Sequence, residues 1–353
     1  FKIKKSDSPT RSKRAGSNMQ LAQYSWLDEP KSKLGTNLPP ALLMYGVGGV
    51  GKRTLALHLA QSTLCEKASF LKEPCGICGS CHLFQAETHP DFKMLSNDEA
   101  DTSADEDSAS STKKVKQVIG VKTVRELGGF CYTKPHRGHA KVIIIDPADN
   151  LNQNASNALL KNLEEPPAFL HFILLAKHSE SLIPTILSRC LKVHVRAPEL
   201  AVTSDWLNRQ TSINQLEEHK KELAIRLSAC APFASMQLIE DEAFFVNRDK
   251  ILALLSQEAV NAFALAALCE KIDAPILQRI FYPLLHDLLM ADLGGDIVFH
   301  KDKVSEIQRI KRAVTPKAVT HWQGSFNDYL KSVNHPLNRR LALEALFLKW
   351  PQT

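Results

Sequence analysis

The chain has 353 residues, of which 44% are hydrophobic and 23% charged, with a formal net charge of +6 at pH 7. That length exceeds one ordinary core and predicts two or three domains, while the balance of apolar and charged residues is that of a soluble globular protein. No apolar run approaches the roughly 18 residues that a helical membrane span needs, so such a span is excluded, and the modest positive charge only mildly favours acidic partners such as nucleic acid.

Residues 1–20 carry Lys2, Lys4, Lys5, Arg11, Lys13 and Arg14 among Ser, Thr and Gly, with no apolar stretch behind them. This predicts a disordered basic leader and not a secretory signal. The chain begins with Phe1, which makes Met19 a candidate start. Eight cysteines without an export signal point to reduced thiols or a metal in place of disulfides.

The apolar run from Ala41 to Tyr45 feeds into Gly46-Val47-Gly48-Gly49-Val50-Gly51-Lys52-Arg53, and Leu55 and Leu59 follow at helical spacing. This reads as strand, glycine loop, helix. From about 96 to 113 the chain is rich in Asp, Glu, Ser and Ala with scarcely an apolar side chain, and it is predicted to be a disordered surface insertion. Val142 to Ile145 form a second strand ending in Asp146, a helix spans Asn154 to Glu165, and Phe172 to Ala176 form a third strand. Continuous β-branched runs between helices predict a parallel sheet of α/β type buried on both faces. Beyond Pro198 apolar residues recur at three and four, as in Leu216, Leu223 and Leu227, then Ile251, Leu254 and Leu255, so the remainder is predicted helical, with a break near Glu240 to Phe245.

The glycine loop follows the phosphate-loop pattern G-x-x-x-x-G-K-[ST] except at its last position. Gly46, Gly48, Gly49 and Gly51 with Lys52 can still present N–H groups, a helix N-terminus and a positive charge to a nucleotide. The hydroxyl that would hold Mg²⁺ is replaced by Arg53, and Thr54 lies about 100° further round the helix. Asp146 resembles the acid that organises Mg²⁺ on the second strand, yet the next residue is Pro147, which has no side chain to orient an attacking water. ATP or ADP binding is therefore compatible with the loop, whereas hydrolysis is not expected. A tight turn in an unrelated α/β protein is the bland alternative.

Cys65, Cys75, Cys78 and Cys81 are spaced C-x9-C-x2-C-x2-C, with Gly76 and Gly79 in the turns. Two-residue gaps let neighbouring thiolates converge on one ion, and four of them close a tetrahedral, structural Zn²⁺ site. His82 and His89 are alternative ligands. Cys131, Cys190, Cys230 and Cys269 are scattered and read as small buried residues. Ser188-Arg189-Cys190 follows the third strand, and by itself Arg189 reads as a surface ion-pair partner.

The altered phosphate loop, the cysteine cluster after its helix, Val142 to Asp146, the run Asn157-Ala158-Leu159-Leu160-Lys161-Asn162-Leu163-Glu164-Glu165-Pro166-Pro167 and Ser188-Arg189-Cys190 occur in an order that resembles the clamp-loader subunits of bacterial DNA polymerase III. The resemblance is strong over about residues 21–200 and weaker beyond, where it includes His335 to Asn338. It implies an α/β P-loop (AAA+) domain with a parallel sheet over 21–197, a zinc module inserted at about 65–81, a helical lid at 198–243 and an all-α collar at 244–353 that packs a ring. It also implies that Arg189, with Ser188, is an arginine finger acting on a neighbouring subunit's ATP. Arg53, Pro147, Lys177 and, by approximate alignment, Phe233 stand where motor subunits carry nucleotide-handling residues, so the resemblance points to a non-motor stator; Lys177 is an alternative partner for Asp146. The implied partners are the delta and gamma/tau subunits, with the sliding clamp and primer-template DNA reached through the assembly. The implied setting is a cytoplasmic DNA-directed DNA polymerase holoenzyme. An active AAA+ ATPase and a zinc-knuckle DNA-binding module are the rival readings.

Overall fold

The three long apolar runs become the interior of a five-stranded parallel sheet in the computed structural model, which describes residues 21–35, 37–68, 72–96, 119–210, 218–333 and 338–351. The basic leader, all but the first residue of the acidic insertion, Leu216 and His335 to Leu337 lie outside the described residues. The strands are β1 (Ala41–Tyr45), β2 (Phe92–Ser96), β3 (Lys141–Asp146), β4 (Leu170–Ala176) and β5 (Leu191–His194), in the order β2-β3-β4-β1-β5. The three inner strands are buried on both faces, which is why their sequences are apolar without alternation. The two edge strands bury one residue each, Leu95 and Val193, and so carry little apolar signal.

Helices α1 (Asp28–Ser32), α2 (Lys52–Leu64), α3 (Gly79–Gln85), α4 (Val121–Tyr132), α5 (Gln153–Glu164) and α6 (Pro184–Leu187) surround this sheet. One face packs Leu43, Ile143, Ile145, Phe172 and Leu174 against Val124 and Leu127 of α4 and Leu159 and Leu163 of α5. Helix α2 contacts β3 and β4 and is itself buried at Leu55, Ala56, Leu59 and Ala60. The start of α5 is fixed by Asn152, whose side chain accepts a 2.7 Å hydrogen bond from the Ala155 N–H. Its end is set by Pro166 and Pro167, which cannot continue a helix.

The chain divides into two compact units, the first ending at Ala197 and the second beginning at Pro198. Among the described residues of the second unit every element is helical: α7 (Leu200–Asn208), α8 (Glu218–Leu227), α9 (Pro232–Ile239), α10 (Glu242–Leu255), α11 (Ala262–Cys269), α12 (Ala274–Asp292), α13 (Val304–Arg312), α14 (Pro316–Ser332) and α15 (Arg339–Phe347). Its core includes an aromatic cluster in which Trp322 stacks on Phe326 at 5.4 Å, Phe281 and Phe347 lie alongside, and the Trp322 indole N–H donates to the Leu346 carbonyl. None of the described helices is long and apolar enough to cross a membrane.

Two buried charges brace this unit. Arg248 on α10 donates to both carboxylate oxygens of Asp302 at 2.7 and 2.6 Å. Asp287 on α12 accepts backbone N–H bonds from Val298, Phe299 and His300 and hydrogen-bonds the His300 ring at 2.9 Å. Burial pushes the Asp287 carboxyl up, but the bonds from His300, Phe299 and Val298 outweigh it and hold the acid below its usual range. A depressed native pKa contributes stability that is complete above the unfolded value of about 3.9 and is lost as pH falls through the native one. Asp287→Asn should therefore cost the helical unit about 3 kcal/mol at neutral pH, and the gap to the native protein should close below about pH 4. Urea melts at both pH values check this; a gap that persists unchanged in acid would assign the loss to packing.

Candidate functional site

The glycine loop leaves the C-terminal end of β1, and its backbone takes conformations that side chains resist. Gly46, Gly49 and Gly51 have φ of 148°, 77° and 108°. A Cβ on Gly46 would stand 2.2 Å from the Val195 carbonyl oxygen, so the strand can turn only on glycine. Gly51 ends the loop as the N-cap of α2, and Lys52 is the first helical residue. Gly48 has no such requirement: an added Cβ would touch only the Lys177 Cε at 3.9 Å. From the other side the Trp26 indole N–H donates a 2.8 Å bond to the Val50 carbonyl.

The Lys52 ammonium donates to the Gly46 and Val47 carbonyls at 2.6 and 2.9 Å. Burial pushes its pKa down to about 8 against the pull of the Asp146 and Asp149 carboxylates, with Lys177 adding to the depression. Asp146 ends β3, and its Oδ2 accepts a 2.5 Å bond from the Arg53 Nε. Lys177 is thus not the partner of Asp146, and its backbone N–H is held instead by Asp149 Oδ2 at 2.8 Å. The other oxygen of Asp149 accepts from the Ser181 hydroxyl. Phe233 packs against Trp206 at 5.1 Å in the helical unit.

These residues do not fit a divalent cation. The position that would supply a hydroxyl supplies a guanidinium, and both nearby acids, Asp146 at the end of β3 and Asp149 beyond it, already have donors. Sequence reasoning had found Asp146 and the defect at Arg53 but not their pairing. It also passed over Asp149, whose only sequence signal is an acid three residues beyond the end of an apolar strand.

Arg189 belongs to a turn just after α6, where it is about one-third exposed. Its Nη2 donates to Glu164 Oε1 at 2.7 Å, and its Nη1 donates to the Thr185 carbonyl at 2.9 Å and to the Ser188 hydroxyl at 3.4 Å. Ser188 caps α6 and donates its own proton to Thr185 O, so it supports the arginine. Glu164 is the last residue of α5, the end of a helix that disfavours an acid, and the arginine offsets that cost. Half-exposed on the carboxylate side, the pair is worth about 0–1 kcal/mol and can be exchanged cheaply for another anion.

The four predicted cysteines meet. The sulfurs of Cys65, Cys75, Cys78 and Cys81 lie within 4.8 Å of one another, with Cys65–Cys78 at 3.9 Å and Cys75–Cys81 at 4.0 Å. A tetrahedron with metal–sulfur bonds of about 2.3 Å has S···S edges of about 3.8 Å, so the donor set suits one thiophilic ion. Backbone N–H groups of Ala68 and Cys75 point at the Cys65 sulfur, and that of Cys81 at Cys78, as metal thiolates require. Hydrogen bonds from the Ile77 backbone, aided by those of Cys78, bring the Cys75 thiol down to about 6. His82 and His89 are not among the converging ligands. Cys131, Cys190 and Cys269 are buried, whereas Cys230 is half-buried at a left-handed turn position, φ 58°.

The family model described as DNA polymerase III, delta subunit, matches residues 30–199. The DNA polymerase III subunit delta' of Pseudomonas aeruginosa is 32% identical over 93% of this chain and 97% of its own length. The subunit delta' of Yersinia pestis is 30% identical over 93% of this chain and 95% of its own. The DNA polymerase III subunit tau of Escherichia coli is 26% identical over 88% of this chain but only 49% of its own length.

The loop geometry yields a paired prediction. Gly46→Ala should lower stability by at least about 1–3 kcal/mol through strain at a positive φ and the contact with Val195, while Gly48→Ala should melt like the native chain. Thermal melts of the two variants check it, and equal melting temperatures would contradict the account of the turn.

Proposed function

The chain belongs to the delta-prime family of DNA polymerase III subunits, and from that membership we propose that it is the stator of the clamp loader. It docks against ATP-hydrolysing gamma or tau neighbours and against delta, offers Arg189 to one neighbour's nucleotide, and so helps place the sliding clamp on primed DNA in the cytoplasm. The observation that carries this reading is the contrast between two arginines. Arg53 closes the home site on Asp146, a mostly covered carboxylate, while Arg189 pairs with the half-exposed Glu164 in an exchangeable ion pair. Glu164 holds the finger while no neighbour is present, and the phosphoryl oxygens of the neighbour's nucleotide replace it in the assembly. A guanidinium delivered there stabilises the charge of phosphoryl transfer.

The subdivision of the helical unit into a lid over 198–243 and a collar over 244–353 belongs to the same proposal. Phe263 on α11 and Leu341 on α15 are more than half exposed, as is Leu348 just beyond α15, and they offer apolar contacts to ring neighbours. The cysteine cluster is proposed to hold Zn²⁺ as a structural staple for the segment that joins α2 to β2, four thiolates leaving no open position for chemistry.

In a reconstituted loader, Arg189→Ala should cut DNA- and clamp-stimulated ATP turnover by at least about tenfold, and Lys52→Ala should leave it nearly unchanged. The reverse pattern would make the home loop a working motor site and end the stator reading. Elemental analysis of the purified chain should find one zinc per molecule, lost together with thermal stability in Cys78→Ser and Cys81→Ser and retained in Cys230→Ser. Full stability in the first two variants would remove the metal from the account.

A further inference from the structure

The loop at the end of β1 is built for a polyphosphate, yet its metal position is built against a metal. The backbone turns of Gly46, Gly49 and Gly51 are intact, α2 starts at Lys52, and the following helix is long enough to present its N-terminus. A divalent ion at such a loop needs the oxygen of residue 53 and the carboxylate that ends the neighbouring strand. Here the side chain of residue 53 reaches that carboxylate itself, Arg53 Nε lying 2.5 Å from Asp146 Oδ2. Asp149 is already engaged elsewhere, each of its oxygens accepting a hydrogen bond, one from the Lys177 N–H and one from the Ser181 hydroxyl. Lys52 and the Lys177 side chain beside Gly48 add positive charge to the same small volume, which repels a further cation.

We propose that Arg53 is the specificity determinant of this loop: its guanidinium stands in for the divalent ion on Asp146, so that the loop is indifferent to Mg²⁺, and the single change Arg53→Thr makes it a Mg²⁺-dependent nucleotide site. The substitution restores the missing oxygen and frees the carboxylate in one step. Asp146 is only one-fifth exposed but not sealed, so the freed acid can be solvated and the fold retained. This inference does not rest on the stator role of Arg189.

The test titrates the full chain with a fluorescent ATP analogue in Mg²⁺ and in EDTA, with folding checked by melting. For the native chain the signal should be the same in the two media within about twofold, whether binding is weak or strong. For Arg53→Thr the affinity should rise at least about tenfold with Mg²⁺, and Asp146→Asn added to it should abolish the rise. Arg53→Ser should behave as Arg53→Thr does and replaces it if the latter fails to fold. As a second readout, with Mn²⁺ in place of Mg²⁺, the electron paramagnetic resonance signal of the Mn²⁺–nucleotide mixture should change little on adding the native chain, and strongly on adding the variant. A native chain that binds the analogue about tenfold tighter in Mg²⁺, or folded Thr and Ser variants that remain indifferent, would overturn the proposal. Failure of this test leaves the Arg189 experiment standing, since that one reads a neighbour's ATP.

Discussion

The contact between Arg53 and Asp146 joins two points 93 residues apart in the chain, the first turn of α2 and the end of β3. The sheet makes the meeting unavoidable. With β4 between β1 and β3, all parallel, the loops that leave the C-terminal ends of those strands converge on one rim, the place where parallel α/β sheets bind ligands. Lys52, Arg53 and Lys177 and two acids, Asp146 and Asp149, crowd that rim: Lys52 donates to loop carbonyls, Arg53 donates to Asp146, and Asp149 accepts from the Lys177 backbone N–H and the Ser181 hydroxyl. A nucleotide machine leaves part of such a set open for metal and water. Here the acid that ends β3 is already held by Arg53.

A home site of this kind gives the fold a different use. The backbone of the glycine loop is also a corner that fixes α2 against β3 and β4. The same sheet positions α5 and α6, and the two helices bring Glu164 and Arg189 together at the surface. The two arginines are chemically identical and differ only in what surrounds them. Arg53 pairs with a mostly covered carboxylate, and Arg189 with a half-exposed one, where ion pairs exchange at little cost. On the stator reading proposed above, this division suits a subunit that acts on its neighbour and not on itself.

Much of this was legible in the sequence, for reasons that follow from periodicity. The inner strands announced themselves as unbroken apolar runs because both of their faces are covered, and α5 was bounded by Pro166 and Pro167. Two edge strands were missed because Phe92–Ser96 and Leu191–His194 bury one residue apiece, which leaves no pattern to read. The four cysteines could be found from spacing alone, since Zn-site geometry is local. The partner of Asp146 could not. Sequence reasoning offered Lys177, a plausible charge at the right strand end, but only the register of three strands decides which cation reaches the acid. Asp149 and Glu164 escaped for the same reason, each being an ordinary acid until its hydrogen-bond donors are known.

The central claim is that one arginine closes the home site while another serves a neighbour. The most direct measurement is the structure of the assembled loader trapped with a transition-state mimic of phosphoryl transfer. The account predicts the Arg189 guanidinium within hydrogen-bond distance of the mimic in the adjacent subunit, released from Glu164, with Arg53 still on Asp146 and no metal there. A metal-bound mimic on this chain's own glycine loop, with Arg189 still paired to Glu164, would contradict it.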